Sequence, residues 1–321
     1  MRIAMTGGGG FIGAHLLARL VATGFDVTLL GSTTGKSRYT ASLVAGGTVR
    51  HLRCDDSFAE QDILQPALAD VDALVLLGYH LPASTSPAQR LAEELSRNVA
   101  PVVRLLRATE SRSRHVVFAS SVSVYGSPES APVREIDVPR PQTPYAIAKL
   151  ACEEAMQMLS QAAGSSATIL RFSTTYGPGE TVPRAIPNFI RATLAGQPPI
   201  VSGDGRDEHD YVNVADVVDA ILLALRRRTG GIFNVGTGIG TTTIDLADLI
   251  IKLAAADVVP AFRAAGPTAR RMAMVCATEA AERDLGFKAS RQLSQGLVEE
   301  IGWFRSQLEF AQGAAIAAAT T

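Results

Sequence analysis

The chain has 321 residues, 47% of them hydrophobic, which is ample apolar material for one large domain or two associated ones. A formal net charge of −1 offers no long-range field for nucleic acid or an anionic membrane surface, so neither is an expected partner. Cys54, Cys152 and Cys276 are widely separated and lack C-x-x-C spacing, which argues against a disulfide framework or a structural zinc site and for a cytoplasmic location.

Arg2 to Thr6 reads as a short buried strand. The glycines at 7–10 and 13 follow, then Ile12, Leu16, Leu17 and Leu20 at helical spacing, which together make strand, glycine turn and helix. The glycines interrupt the apolar start at once, so neither a signal peptide nor a spanning helix fits it. Further apolar runs at 27–30, 74–77 and 116–119 have the length of strands buried on both faces, and 49–53 reads as the third strand. Leu91, Leu95, Val99, Val102 and Leu106 recur at helical spacing between the last two runs, and Pro101 is expected to bend that helix. A helix over 146–163 and a strand over 168–171 continue the alternation, the pattern of βαβ units. The expected fold is therefore α/β, a doubly wound parallel sheet.

After Tyr176-Gly177-Pro178-Gly179 the rhythm loosens, with Pro183, Pro187, Pro198, Pro199 and a Gly203-Asp204-Gly205 turn. This predicts a smaller, discontinuous C-terminal substrate domain. Residues 1–176 plus about 209–236 form the dinucleotide-binding domain on this reading, and about 177–208 plus 237–312 form the second. The Ala-rich end, 313–321, is expected to fray.

Between the first strand and first helix, absent Cβ atoms let backbone approach a pyrophosphate, and the helix N-terminus supplies amides and positive dipole. Gly7, Gly10, Phe11, Ile12 and Gly13 are the candidate contacts. A dinucleotide site usually has an acid near the end of the second strand that holds the ribose 2′-hydroxyl. That position is Gly31 here, and Ser32, Lys36 and Arg38 could instead meet a 2′-phosphate. NADP and NAD both remain open, since Ser32 and backbone amides could equally hold an NAD ribose. Asp55, after the third strand, could accept from the adenine amino group or simply make a turn.

Tyr145 and Lys149, four residues apart on one helix, share a face. A nearby ammonium favours a phenolate, and such a tyrosine can take a proton from a substrate hydroxyl or return it.

Several segments carry a resemblance beyond these residues. Gly7-x-x-Gly10-x-x-Gly13 resembles the glycine loop of the short-chain dehydrogenase/reductase superfamily. Ser120-Ser121-Val122-Ser123-Val124-Tyr125-Gly126, Pro144-Tyr145-Ala146-Ile147-Ala148-Lys149, Arg171-Phe172 with Tyr176-Gly177-Pro178-Gly179, Asp210-Tyr211-Val212 with Asp216-Val217, and Phe233-Asn234-Val235-Gly236 are similar to segments of its extended branch. That branch is the NAD-dependent epimerase/dehydratase family of nucleotide-sugar enzymes, and the likeness spans nearly the whole chain. The resemblance implies a Rossmann fold, with Tyr145 as proton shuttle, Lys149 supporting it and holding the nicotinamide ribose, and Ser121 hydrogen-bonding the reacting hydroxyl. Ser123 is a rival for that last role. A homodimer through the helix of Tyr145 and the one before it is also implied, and Leu105, Leu106, Ala151, Ala155 and Met158 could serve its face or equally belong to the core.

The departures bear on the substrate. Thr174 stands where relatives have Asn, His209 where they have Arg, and the late diphosphate-binding Arg is missing around Ala265-Gly266 unless Arg270 or Arg271 replaces it. An Arg fork binds phosphate bidentately and a neutral His does not. Arg184, Arg206 and His209 are candidates for a substitute cluster. Val122 and Ser123 replace the acid pair that sugar 4,6-dehydratases carry after the catalytic Thr, which disfavours a dehydratase. The expected activity is epimerisation of a nucleotide sugar by transient oxidation, with hydride passing to the nicotinamide and back. The alternative is a net NADP(H)-dependent reductase of a keto-sugar or other small carbonyl compound.

Overall fold

The computed structural model describes residues 1–35, 37–109, 114–264 and 272–319, the last nine of these by backbone alone. Seven parallel strands form the main sheet: β1 (Arg2–Thr6), β2 (Asp26–Gly31), β3 (Arg50–Arg53), β4 (Ala73–Leu76), β5 (His115–Ser121), β6 (Ser166–Phe172) and β10 (Gly231–Val235). Their order is β10-β6-β5-β4-β1-β2-β3, so the chain reverses direction between β1 and β4, and the crevice at the strands' carboxyl ends lies there.

The central strands are buried on both faces because helices cover both, whereas the edge strand β3, Arg-His-Leu-Arg, is partly exposed. Side-chain alternation divides them with period two. Ile3, Met5, Val27, Leu29, Val75 and Val117 pack toward α1 (Phe11–Ala22) and α8 (Val214–Arg227). Ala4, Leu30, Leu74, Leu76, Val116 and Phe118 pack toward α3 (Gln61–Leu68), α5 (Ala100–Arg107) and α6 (Pro144–Ala162). Leu105 and Leu106 belong to this second core and do not present a docking face, whereas Met158 on α6 is exposed.

The expected helix around Pro101 runs through α4 (Pro87–Glu94) and α5 with helical backbone throughout, widened by a π-helical turn at Leu95–Val99. That turn, in which the Ala100 amide reaches back to the Leu95 carbonyl, directly precedes Pro101, the residue that lacks an N–H.

A third core gathers Tyr176, Ile186, Phe189 and Ile190 with Leu246, Ile250, Leu297 and Ile301, from α7 (Ala185–Leu194), α9 (Thr243–Ala254) and α10 (Leu293–Ala319). Strand β9 (Glu208–Asn213), expected within the large domain, leaves it and pairs with β7 (Thr174–Tyr176), β11 (Gly240–Thr242) and β13 (Ala273–Met274). Tyr211 therefore lies in the third core. Helical backbone continues to Ala319, past the expected start of fraying at 313. No described helix is long and apolar enough to cross a membrane.

Candidate active site

At the crevice, Gly10 caps α1 with extended backbone, and its amide donates to the Gly7 carbonyl at 3.0 Å. A Cβ at Gly13 would lie 2.0 Å from the Gly7 oxygen, so glycine is required for helix and loop to close on each other. The first-turn amides of α1 have no acceptor within the helix and face outward for an anion. Phe11 meets His15 edge to face at 5.9 Å, and a ring nitrogen of His15 lies 2.8 Å from the Pro178 carbonyl oxygen. The glycine loop and the Tyr-Gly-Pro-Gly segment are thereby tied together across 163 positions of sequence.

The loop after β2 packs on the glycine loop, since a Cβ at Gly9 would fall 1.8 Å from the Thr34 carbonyl oxygen. Ser32 donates through both its amide and its hydroxyl to Asp56, each at 2.7 Å. The guanidinium of Arg38 stands 5.4 Å from the Phe310 ring centroid. Lys36 lies outside the described residues. Asp55 accepts from the Ser57 amide at 2.7 Å, a local turn, and Ser57 holds its carboxyl below the usual range. Asp56, its neighbour, escaped sequence reasoning because only the tertiary fold brings it 24 residues back to Ser32.

Helix α6 starts where Thr143 accepts from the Ala146 amide and Pro144 takes the first helical position. Tyr145 and Lys149 stand side by side on it, with the ammonium 5.8 Å from the Tyr145 ring centroid. Lys149 is buried and donates to the Ala119 carbonyl at 2.7 Å, and it also faces the rings of Phe118 and Tyr79. Tyr79 packs edge to face on Tyr145 at 5.2 Å and donates to buried Glu94, which also receives Asn98 at 2.7 Å. Burial and that carboxylate push the Tyr79 phenol far above its usual range. Tyr79, Glu94 and Asn98 were not singled out from sequence. A tyrosine just past the end of β4 was the signal available.

Ser121 ends β5 and accepts from the Ser123 amide at 3.2 Å, capping the short turn Val122–Tyr125. The Ser123 hydroxyl is buried without a hydrogen-bond partner. Ser120 instead faces the core and donates to Glu153, one turn beyond Lys149. Glu153 receives Arg171 through two nitrogens, and Arg171 also donates to the Tyr125 hydroxyl at 2.9 Å, which passes its proton toward Asn234 at 2.8 Å. This buried chain fixes β5, β6, β10, α6 and the Ser121 turn relative to one another.

A second cavity opens among Thr174, Glu180, Arg184, His209 and Tyr211. Three of the sequence candidates, Thr174, Arg184 and His209, therefore line one space. Arg206 is exposed, 4.0 Å from Asp204, and does not line it. Glu180, not expected from sequence, is 2% exposed and 3.8 Å from Arg184. Burial pushes its carboxyl up to about 7, and burial lowers the proton affinity of His209. Of the expected cluster the cavity therefore holds Arg184 and His209, joined by the Glu180 carboxyl in place of Arg206. Ala265, Gly266, Arg270 and Arg271 lie outside the described residues.

The model of the "NAD dependent epimerase/dehydratase family" matches residues 3–236. The chain belongs to that family. Among its relatives, a UDP-glucose 4-epimerase of Mycolicibacterium smegmatis is 32% identical over 96% of this chain and 99% of its own. A dTDP-glucose 4,6-dehydratase of Streptomyces niveus is 29% identical over 95% and 93%. Among solved structures, MoeE5 in complex with UDP-glucuronic acid and NAD has a TM-score of 0.83 at 31% identity, covering 96% of this chain and 100% of that one. The protein is thus an NAD-dependent enzyme of the extended short-chain dehydrogenase/reductase type, with the Rossmann fold of its relatives.

Proposed function

We propose that this family member is a nucleotide-sugar epimerase that works by transient oxidation, with Tyr145 as the proton shuttle. The observation that carries this reading is the packing of Tyr145 beside Lys149, itself anchored to the end of β5 next to Ser121. The glycine cradle fits a dinucleotide, because only glycine at 7 and 13, where an added Cβ would fall 2.7 and 2.0 Å from backbone, lets the loop close this tightly at the start of α1. Gly7, Gly10, Phe11, Ile12 and Gly13 would hold the pyrophosphate of NAD, and Lys149 its nicotinamide ribose. When bound, NAD supplies a reversible hydride acceptor. Tyr145 takes the proton from the sugar hydroxyl and later returns it, and Ser121 orients that hydroxyl. Ser123, with its unspent hydroxyl, stands ready for a second contact to the sugar. The cavity at Thr174, Arg184 and His209 would take the remainder of the substrate. Val122 and Ser123, in place of two acids, favour epimerisation over elimination.

The test is chromatography of UDP- and dTDP-sugars after incubation with the protein. A sugar pair should interconvert with no net absorbance change at the nicotinamide band, and Tyr145→Phe should lower the rate at least ~10²-fold. Stoichiometric consumption of NADPH would establish the reductase reading instead.

A further inference from the structure

The strand that should carry the ribose-binding acid ends in a residue without a side chain. Gly31 closes β2 at φ +144°, and its carbonyl is held by the Cys54 amide at 3.3 Å with a His51 ring nitrogen at 3.0 Å. On the neighbouring strand β3, Arg53 pairs with Gly31, and the chain then turns at Asp55. That turn aims Asp56 back across the end of β2. One carboxylate oxygen accepts from the Ser32 amide and the other from the Ser32 hydroxyl. A Cβ at Gly31 would stand 3.1 Å from the first of these oxygens. The carboxylate of Asp56 therefore occupies the space that an acidic side chain at position 31 would need, and the missing side chain is what makes room for it.

We infer that Asp56 reads the adenosine ribose and makes this protein selective for NAD over NADP. The inference rests on the reading that the crevice holds a dinucleotide. An ionised carboxylate offers about four lone-pair sites, and Ser32 uses one on each oxygen. One remains on each, and the two Ser32 contacts fix their direction, so the pair matches the vicinal 2′- and 3′-hydroxyls of a ribose. A 2′-phosphate at the same place would bring like charge against the carboxylate. Of the cations near this loop, Arg38 stands over the Phe310 ring. The absence of an acid at 31 had left NADP open from sequence. The acid arrives from the adjacent strand.

The test is isothermal titration of the full-length protein with NAD and, separately, with NADP. The unmodified protein should bind NAD at least ~10-fold tighter, the scale of one charged hydrogen bond. Asp56→Asn should weaken NAD by about that factor while NADP is unchanged or tighter, so the ratio collapses. Ser32→Ala, which removes one of the two anchors and leaves the charge, should weaken NAD without improving NADP, and it serves if the first variant fails to fold. NAD binding with an unaltered ratio in Asp56→Asn, or a preference of the unmodified protein for NADP, overturns the inference alone. Failure of both nucleotides to bind overturns the cofactor reading with it.

Discussion

Replacing Arg171 by Met would strip the cation from Glu153, a carboxylate with no exposed surface. The guanidinium gives two nitrogens to Glu153, the closest at 2.7 Å, and a third to Tyr125, and its own side chain is 3% exposed. Without it Glu153 keeps only the Ser120 hydroxyl, and breaking a buried pair from one side typically costs about 3–5 kcal/mol. At about 2 °C per kcal/mol for a chain of this size, thermal unfolding should fall by roughly 6–10 °C. Replacing both partners by apolar residues removes the orphaned charge, so Arg171→Met with Glu153→Leu should recover at least half of the loss. Scanning calorimetry of the two single variants and the double variant supplies the cycle. A loss below about 1 kcal/mol in Arg171→Met, or a double variant as unstable as the sum of the singles, would refute the claim that this pair anchors the Ser121 turn to α6.

Three further outcomes follow from the same geometry. Gly13→Ala drives a Cβ to 2.0 Å from the Gly7 oxygen, so NAD affinity by titration should drop at least ~100-fold, and unchanged affinity would contradict the cradle. Tyr79→Phe leaves buried Glu94 short of a donor and should cost about 1–3 kcal/mol in urea unfolding; a neutral result would count against that network. Glu300 is fully buried, and burial together with Glu180 raises its carboxyl to about 9. The unfolded chain ionises it near the ordinary value of 4.5, so the folded state holds the extra proton between those limits. Stability should therefore fall as pH rises through that window, by up to about 1.4 kcal/mol per unit. Glu300→Gln cannot ionise, and its advantage in melting temperature over the unmodified protein should grow from pH 5 to pH 9. An advantage that stays flat with pH would refute this account.

Local pattern carried much of the fold. Short apolar runs separated by helical periodicity specify a parallel sheet covered on both faces, because only that arrangement buries strands such as 74–76 completely. Glycines at 7, 10 and 13 and a Tyr and Lys one helical turn apart are likewise local, since backbone clearance and helix geometry depend on spacing alone. The π-helical turn before Pro101 was less legible, because an extra residue in a turn leaves the apolar spacing nearly intact. Strand β9 carries the composition of a sheet strand but says nothing of which sheet it joins.

What the sequence determined by itself was the chemistry within one turn or one loop: the glycine cradle, the Tyr145 and Lys149 pair, and the alternation that builds the sheet. Tertiary structure alone decided which distant groups meet them. It placed Tyr79 on Tyr145, Glu153 under Ser120, Glu180 in one cavity with Thr174 and His209, and Asp56 over the empty end of β2. These pairings depend on strand order and on how loops cross the crevice, and contacts between residues 24 or 66 positions apart leave no periodic trace in the chain.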